Sequence, residues 1–152
     1  MKILVGYATN SSGTQTVAGN ISSLLIEKGH KAKSTNIREV EDDEIQNSDL
    51  VILGSPSWDY NGVEGQPHEN MSAFFAKYKG RLFPKRPFAV FGLGDKAYMQ
   101  FCGAVDYMEK FVKNADGKLI IDSLKIDGFY FDQSKNERII EDWVATLITK
   151  LK

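Results

Sequence analysis

Three short segments hold the residue types that could do chemistry, and none of them supplies an acid–base pair. The first is Ala8-Thr9-Asn10-Ser11-Ser12-Gly13-Thr14, which follows the apolar run Ile3–Tyr7 and carries four hydroxyls ahead of a helical pattern. Hydroxyls and backbone N–H groups at a helix N-terminus make an anion site. After Lys2 the next charged residue is Glu27, so an anion here would be held by neutral donors. There is no Gly-Lys-Ser/Thr of a nucleotide-hydrolysing loop and no GxGxxG of a dinucleotide fold. A polar turn that merely caps the helix is the plainer alternative. The second segment, Ser55-Pro56-Ser57-Trp58-Asp59-Tyr60-Asn61-Gly62, and the third, Gly92-Leu93-Gly94-Asp95-Lys96-Ala97-Tyr98, each place one aromatic outside any helical apolar stripe. Trp58 and Tyr98 suit the two faces of a planar aromatic ligand; alternatively they are two interfacial rings packing on neighbouring loops.

The elements that must position these loops read as an alternation of strands and helices. Ile3–Tyr7, Leu50–Leu53 and Phe88–Phe91 are continuous apolar runs, the pattern of strands buried on both faces. Lys31–Ile37 alternates weakly, as an edge strand does, and Leu119–Ile126 is the fifth strand. Helical faces run through Val17, Ile21, Leu24 and Leu25, with Gly29 as the stop, and through Met71, Phe74, Phe75 and Tyr78 after Pro67. Two more follow, one on Ala104, Val105, Met108, Phe111 and Val112 and a long one from Ile139 to Leu151. This order predicts an α/β doubly wound sandwich, a five-stranded parallel sheet with helices on both faces. In such a sheet ligands bind at the carboxyl ends of the strands, where loops 8–14, 55–65 and 92–102 fall.

Composition narrows the partners. The chain has 152 residues, 19 Lys plus Arg against 20 Asp plus Glu, and a net charge of −1. That length predicts a single domain over residues 1–152, and the charge argues against nucleic acid, which demands a basic excess. No run approaches the ~20 apolar residues of a membrane span, and the opening apolar run is shorter than the ~7–15 of a signal peptide. One cysteine leaves no internal disulfide and no zinc cluster, so the expected compartment is the cytoplasm. His30, after a helix stop, and His68, beside Pro67, read as solvated. Cys102 reads as a small packed residue, and Glu39, Glu41, Asp42, Asp43 and Glu44 as a solvated face, with partner docking as the alternative.

Taken together, these motifs resemble a flavodoxin of the short-chain type along essentially the whole chain. Tyr7–Thr14 is similar to that family's FMN-phosphate loop, and Ser55-Pro56-Ser57-Trp58 to the loop bearing its inner flavin-flanking Trp. The longest match runs from Phe91 to Asp106; there Tyr98 falls at the outer stacking position and Asp95 at the pyrimidine edge of the flavin. The resemblance implies strand order 2-1-3-4-5 and FMN held by Thr9, Asn10, Ser11, Ser12, Gly13, Thr14, Pro56, Ser57, Trp58, Asp59, Gly62, Leu93, Gly94, Asp95, Tyr98, Phe101 and Cys102. It further implies a monomeric low-potential one-electron carrier between a reductase and acceptor redox enzymes. The phosphate's two uncompensated charges, ~10 Å from the ring, would lower the potential of the reduced flavin by roughly 30–150 mV. Leu119–Asp127 lacks the insertion of roughly twenty residues that long-chain relatives carry.

Three departures stand out. Gly13 comes one place later than the family's usual Gly. Asp59 occupies a position where many members have Gly, whose carbonyl turns toward the flavin N5 on reduction; Asn61-Gly62 is the alternative flexible peptide. The chain is also less acidic than its family. Its charges nonetheless segregate: Lys77, Lys79, Arg81, Lys85 and Arg86 lead into the amino end of the fourth strand, whereas Asp59, Glu64, Asp95, Asp127 and Asp132 lie near the carboxyl ends, with only Lys96 and Lys135 among them. Such a dipole would steer a basic partner. Two other functions compete. An NAD(P)H-dependent quinone or FMN reductase would require a nicotinamide site, for which no second phosphate-binding cation is evident. A phosphoacceptor domain would require Asp after the third strand, where Gly54-Ser55 stand.

Overall fold

Alternation within the apolar runs decides which side of the sheet each residue covers. In β3 (Leu50–Tyr60), Val51 and Leu53 join one buried cluster and Leu50 and Ile52 the other. The computed structural model describes residues 1–9, 12–60, 63–94, 102–129 and 132–151, with 58–60, 63 and 64 described by backbone alone. β1 (Lys2–Tyr7) pairs in parallel with β2 (Lys31–Asn36) and with β3. β3 pairs in parallel with β5 (Pro87–Gly94), through Gly54↔Phe91 and Pro56↔Leu93 among others. Beyond β5 lie two short strands, β6 (Lys118–Leu119) and β7 (Leu124–Asp127), both parallel to it.

These two pieces share the fifth position, so the expected order 2-1-3-4-5 holds, with the last strand broken between Leu119 and Leu124. The break leaves room for side-chain and main-chain exchanges: Ile120 N–H donates to the Phe88 carbonyl, and Trp143 Nε1 donates to the Asp122 carbonyl at 2.9 Å. One face is covered by α1 (Gly13–Glu27) and α5 (Gln133–Thr149), packing Ile21, Leu25, Trp143 and Leu147 on Val5, Ile52 and Phe91. The other face packs Met71, Phe74, Met108 and Phe111 from α3 (Glu69–Lys77) and α4 (Gly103–Asn114) on Leu4, Leu53 and Val90.

Two elements depart from the expectation. Most of the expected loop 55–65 is strand: β3 continues to Tyr60 and pairs antiparallel with β4 (Val63–Pro67), so the sheet is not purely parallel. The β-forming residues there outweigh the turn types Pro56 and Gly65. In addition, the acidic run contains a helix, α2 (Asp42–Gln46), opened by a reciprocal capping box between Glu41 and Glu44. Glu39, Glu41, Asp42 and Asp43 are exposed, as a solvated face should be.

Candidate functional site

The carboxyl ends of β1, β3 and β5 meet the N-termini of α1 and α4, which brings the described parts of the three segments to one edge of the sheet. Ala8 N–H donates to the Gly54 carbonyl at 2.9 Å, tying the first loop to β3. Ala104 N–H, in the first turn of α4, donates to Ser57 Oγ at 2.8 Å. Gly128 N–H donates to the Gly94 carbonyl at 2.9 Å, closing the end of β5 against β7. Thr9, Ser12, Gly13, Thr14, Pro56, Ser57, Leu93, Gly94 and Cys102 therefore share this edge. Asn10, Ser11, Gly62, Asp95, Tyr98 and Phe101 lie outside the described residues, and Trp58 and Asp59 are described by backbone only.

The described part of the first loop has donors suited to an anion. The Thr9 Oγ1 atom is buried and has no hydrogen-bond partner among the described residues. A buried hydroxyl left unpaired is costly and calls for a partner. Ser12 is the N-cap of α1, yet its side chain makes no capping bond, and the first turn carries no acidic residue. The opening N–H groups of a helix lack intrahelical acceptors and carry a partial positive charge. This donor set, hydroxyls plus backbone N–H with no competing carboxylate, fits a phosphate. Ser12, the residue before Gly13, takes a left-handed φ of 69°, a conformation that costs a residue with a Cβ about 1–2 kcal/mol.

The second and third segments are locked by close backbone approaches. A Cβ on Gly94 would stand 2.8 Å from Cys102 N, and one on Gly103 would stand 2.6 Å from the Gly65 carbonyl oxygen. α4 thus begins in contact with β4. In the hairpin, Trp58 is the register partner of Gln66, and the pairing shifts between Trp58 and Tyr60. Asp59 falls at that irregularity; bulges of this kind re-aim residues beside binding sites. Cys102, the N-cap of α4, is buried with φ 50°, and its Sγ lies 3.6 Å from the Gly92 carbonyl oxygen. Burial pushes its thiol pKa up to about 12, in keeping with a packed residue and not a nucleophile.

Sequence reasoning missed two supports of this edge. Ser55 is fully buried and its Oγ accepts from His68 N–H at 3.0 Å. His68 corrects the solvated reading: it is 6% exposed and caps α3, with Nδ1 accepting from Asn70 N–H at 3.0 Å. The signal was positional, a hydrogen-bonding side chain one residue before an acidic helical first turn. Burial, only partly offset by Glu69, lowers the His68 pKa. A depressed histidine pKa favours the neutral native state, so stability is complete above the unfolded value of ~6.5 and declines as pH falls through the interval down to the folded value. We expect denaturant midpoints to fall from pH 7 to pH 5 and a His68→Asn variant, which keeps a capping acceptor, to show a flatter profile. Equal slopes would remove His68 from the account. His30, by contrast, is half-exposed, 3.4 Å from the N-terminal amine.

Among known families, the one described as flavodoxin matches residues 5–141. Over 155 aligned residues the chain is 30% identical to the flavodoxin of Nitratidesulfovibrio vulgaris (strain DSM 19637 / Miyazaki F), covering 98% of each. Its fold superposes on the crystal structure of oxidised Flavodoxin 2 from Bacillus cereus with a TM-score of 0.86 at 26% identity, covering 99% of this chain and 100% of that one. It also superposes on the crystal structure of Fusobacterium nucleatum flavodoxin bound to flavin mononucleotide, with a TM-score of 0.83 over 100% of both chains. Identity there is 23%, so that likeness is one of fold.

Proposed function

The chain belongs to the flavodoxin family and is an FMN-binding electron carrier; we propose that residues 1–152 form one domain whose FMN phosphate rests on Thr9–Thr14 and whose flavin ring lies between Trp58 and Tyr98. The observation that carries this placement is Thr9 Oγ1, buried and without a partner among the described residues, beside an acid-free helix N-terminus whose N-cap side chain makes no capping bond. When bound, FMN supplies the one-electron chemistry; the protein contributes orientation and electrostatics. Thr9, Asn10, Ser11, Ser12 and Thr14 hold the phosphate without a cation. Trp58 and Tyr98 exclude water from the ring faces, and Asp95 accepts at its pyrimidine edge. Pro56, Ser57, Gly62, Leu93, Gly94, Phe101 and Cys102 complete the wall. Asp59 and Glu64 add negative charge near the ring, which together with the uncompensated phosphate keeps the potential low.

A reductase donates to this carrier and acceptor redox enzymes receive from it; it works as a monomer, in the cytoplasm, without nucleic acid or membrane. No helix among the described residues is long and apolar enough to cross a membrane, and the lone cysteine is buried and free.

FMN titration tests the placement. Thr9→Val should weaken binding by about 1.5–3 kcal/mol, the range for a hydrogen bond to a charged group. Trp58→Ala should lose about 0.5–1.5 kcal/mol of stacking plus a burial contribution. Unchanged affinity in both would move the cofactor elsewhere. Mixing the FMN-loaded protein with NADPH alone separates a carrier from a reductase. The flavin absorbance should persist on the stopped-flow timescale, and rapid bleaching without a partner would favour the reductase.

A further inference from the structure

Below the carboxyl edge, α4 from Tyr107 onward and the C-terminal end of α3 part to leave a groove with a cavity of about 300 Å³. Its floor is aromatic: the Phe75 and Phe111 rings stack with centroids 5.0 Å apart and planes at 21°. Tyr107, 43% exposed, forms one wall. The charged residues that line it, Lys79, Arg81 and Lys110, are all cations. Arg81 is already engaged, with Nη1 2.6 Å from Asp42 Oδ2 and its guanidinium over the Tyr78 and Phe83 rings. Lys79 and Lys110 are exposed, and neither enters an ion pair among the described residues. Of the two α4 acids, Glu109 accepts from Ser123 Oγ at 2.7 Å, and the exposed Asp106, one turn before Lys110, makes no ion pair with it among the described residues.

We propose that this groove docks an acidic segment of a partner protein, with an apolar side chain seated on Phe75 and Phe111 and flanking carboxylates set against Lys79 and Lys110. An aromatic floor flanked by two uncommitted cations, Lys79 and Lys110, complements that chemistry in both shape and sign. The site leaves the carboxyl edge uncovered, so a partner can hold the carrier while its redox face stays open. One wall also reaches the flavin hairpin: Tyr107 accepts from Gln66 Nε2 at 2.8 Å, and Gln66 is the register partner of Trp58. The docking does not depend on FMN placement.

The test is fluorescence anisotropy with a labelled synthetic peptide in which glutamates flank Leu and Phe, titrated with FMN-loaded and FMN-free protein. Binding should occur at low salt in both forms and weaken as salt rises. The double variant Lys79→Glu/Lys110→Glu should bind at least about tenfold more weakly. Ala76→Trp, which fills the groove from an exposed position, should do the same without reversing charge. FMN affinity should be unchanged in both variants, which also reports that they are folded. No binding at low salt, equal binding by the variants, or equal binding of a peptide with Gln in place of Glu would overturn the proposal. So would sedimentation showing that the groove is covered by a second copy of the chain.

Discussion

Replacing Gly54 by Ala is expected to destabilise the protein by about 3 kcal/mol, lowering its thermal midpoint by about 6–12 °C. Gly54 sits in the centre of the sheet, paired with Tyr7 on one side and Phe91 on the other. A Cβ at this position would lie 2.0 Å from Phe91 Cζ and 2.3 Å from Cε1. The ring lies flat over the glycine and is fully buried, so neither partner can give way without disturbing the packing under α1 and α5. The clash has an internal control. Phe91→Leu alone should cost about 1–2 kcal/mol through the space it leaves. Combined with Gly54→Ala, it should cost less than the sum of the two, with a coupling of roughly 1 kcal/mol or more. Strict additivity in denaturant titrations would mean that the ring is not the obstacle.

The second large effect is expected at Gly103, and it joins stability to cofactor binding. A Cβ there would meet the Gly65 carbonyl oxygen at 2.6 Å and its Cα at 2.7 Å. Both neighbours are main-chain atoms, so no rotamer change relieves the contact. Gly103→Ala should gain up to about 1 kcal/mol of helix propensity at the start of α4, yet the forced separation of α4 from β4 outweighs it. A net loss of about 2 kcal/mol is expected. Because β4 is the partner strand of the Trp58 segment, FMN affinity should fall with it, by about tenfold. Gly19, inside α1 with nothing within 4 Å of a built Cβ, provides the contrast: Gly19→Ala should be neutral or stabilising by up to about 1 kcal/mol. If Gly103→Ala behaved like Gly19→Ala in unfolding and FMN titrations, the α4–β4 contact would not govern the site.

Reading the chain from its residues succeeded where a single physical pattern dominates. Leu50–Leu53 and Phe88–Phe91 carry the pattern of doubly covered strands, and both lie in central strands; the strand order came with the family resemblance. The first loop stood out as a candidate anion site because hydroxyls replace charges between Lys2 and Glu27. The hairpin was not, because Pro56 and Gly65 are turn residues by type, and their role at a bulged strand pair depends on register. Asn61-Gly62 between β-forming residues was the available sign. α2 escaped for a related reason: five residues carry too little apolar periodicity, although Glu41 and Glu44 stand at capping-box spacing. His68 was read as solvated because burial at a helix start is decided by what packs above it, here Ser55 and the end of β3, and neither is local in sequence.

The left-handed Cys102 at the start of α4 also bears on how this protein ages. Oxidants and alkylating agents attack the thiolate and need access to it. Burial withholds both, since the sulfur is enclosed beneath the Gly92 and Ile126 carbonyls and its pKa is pushed up to about 12. A carrier that handles electrons one at a time thus keeps its sole cysteine out of the reaction. For the experimenter the same enclosure leaves the native surface free of reactive thiol, so a cysteine introduced at any chosen exposed position becomes a unique handle for a dye, a spin label or an electrode.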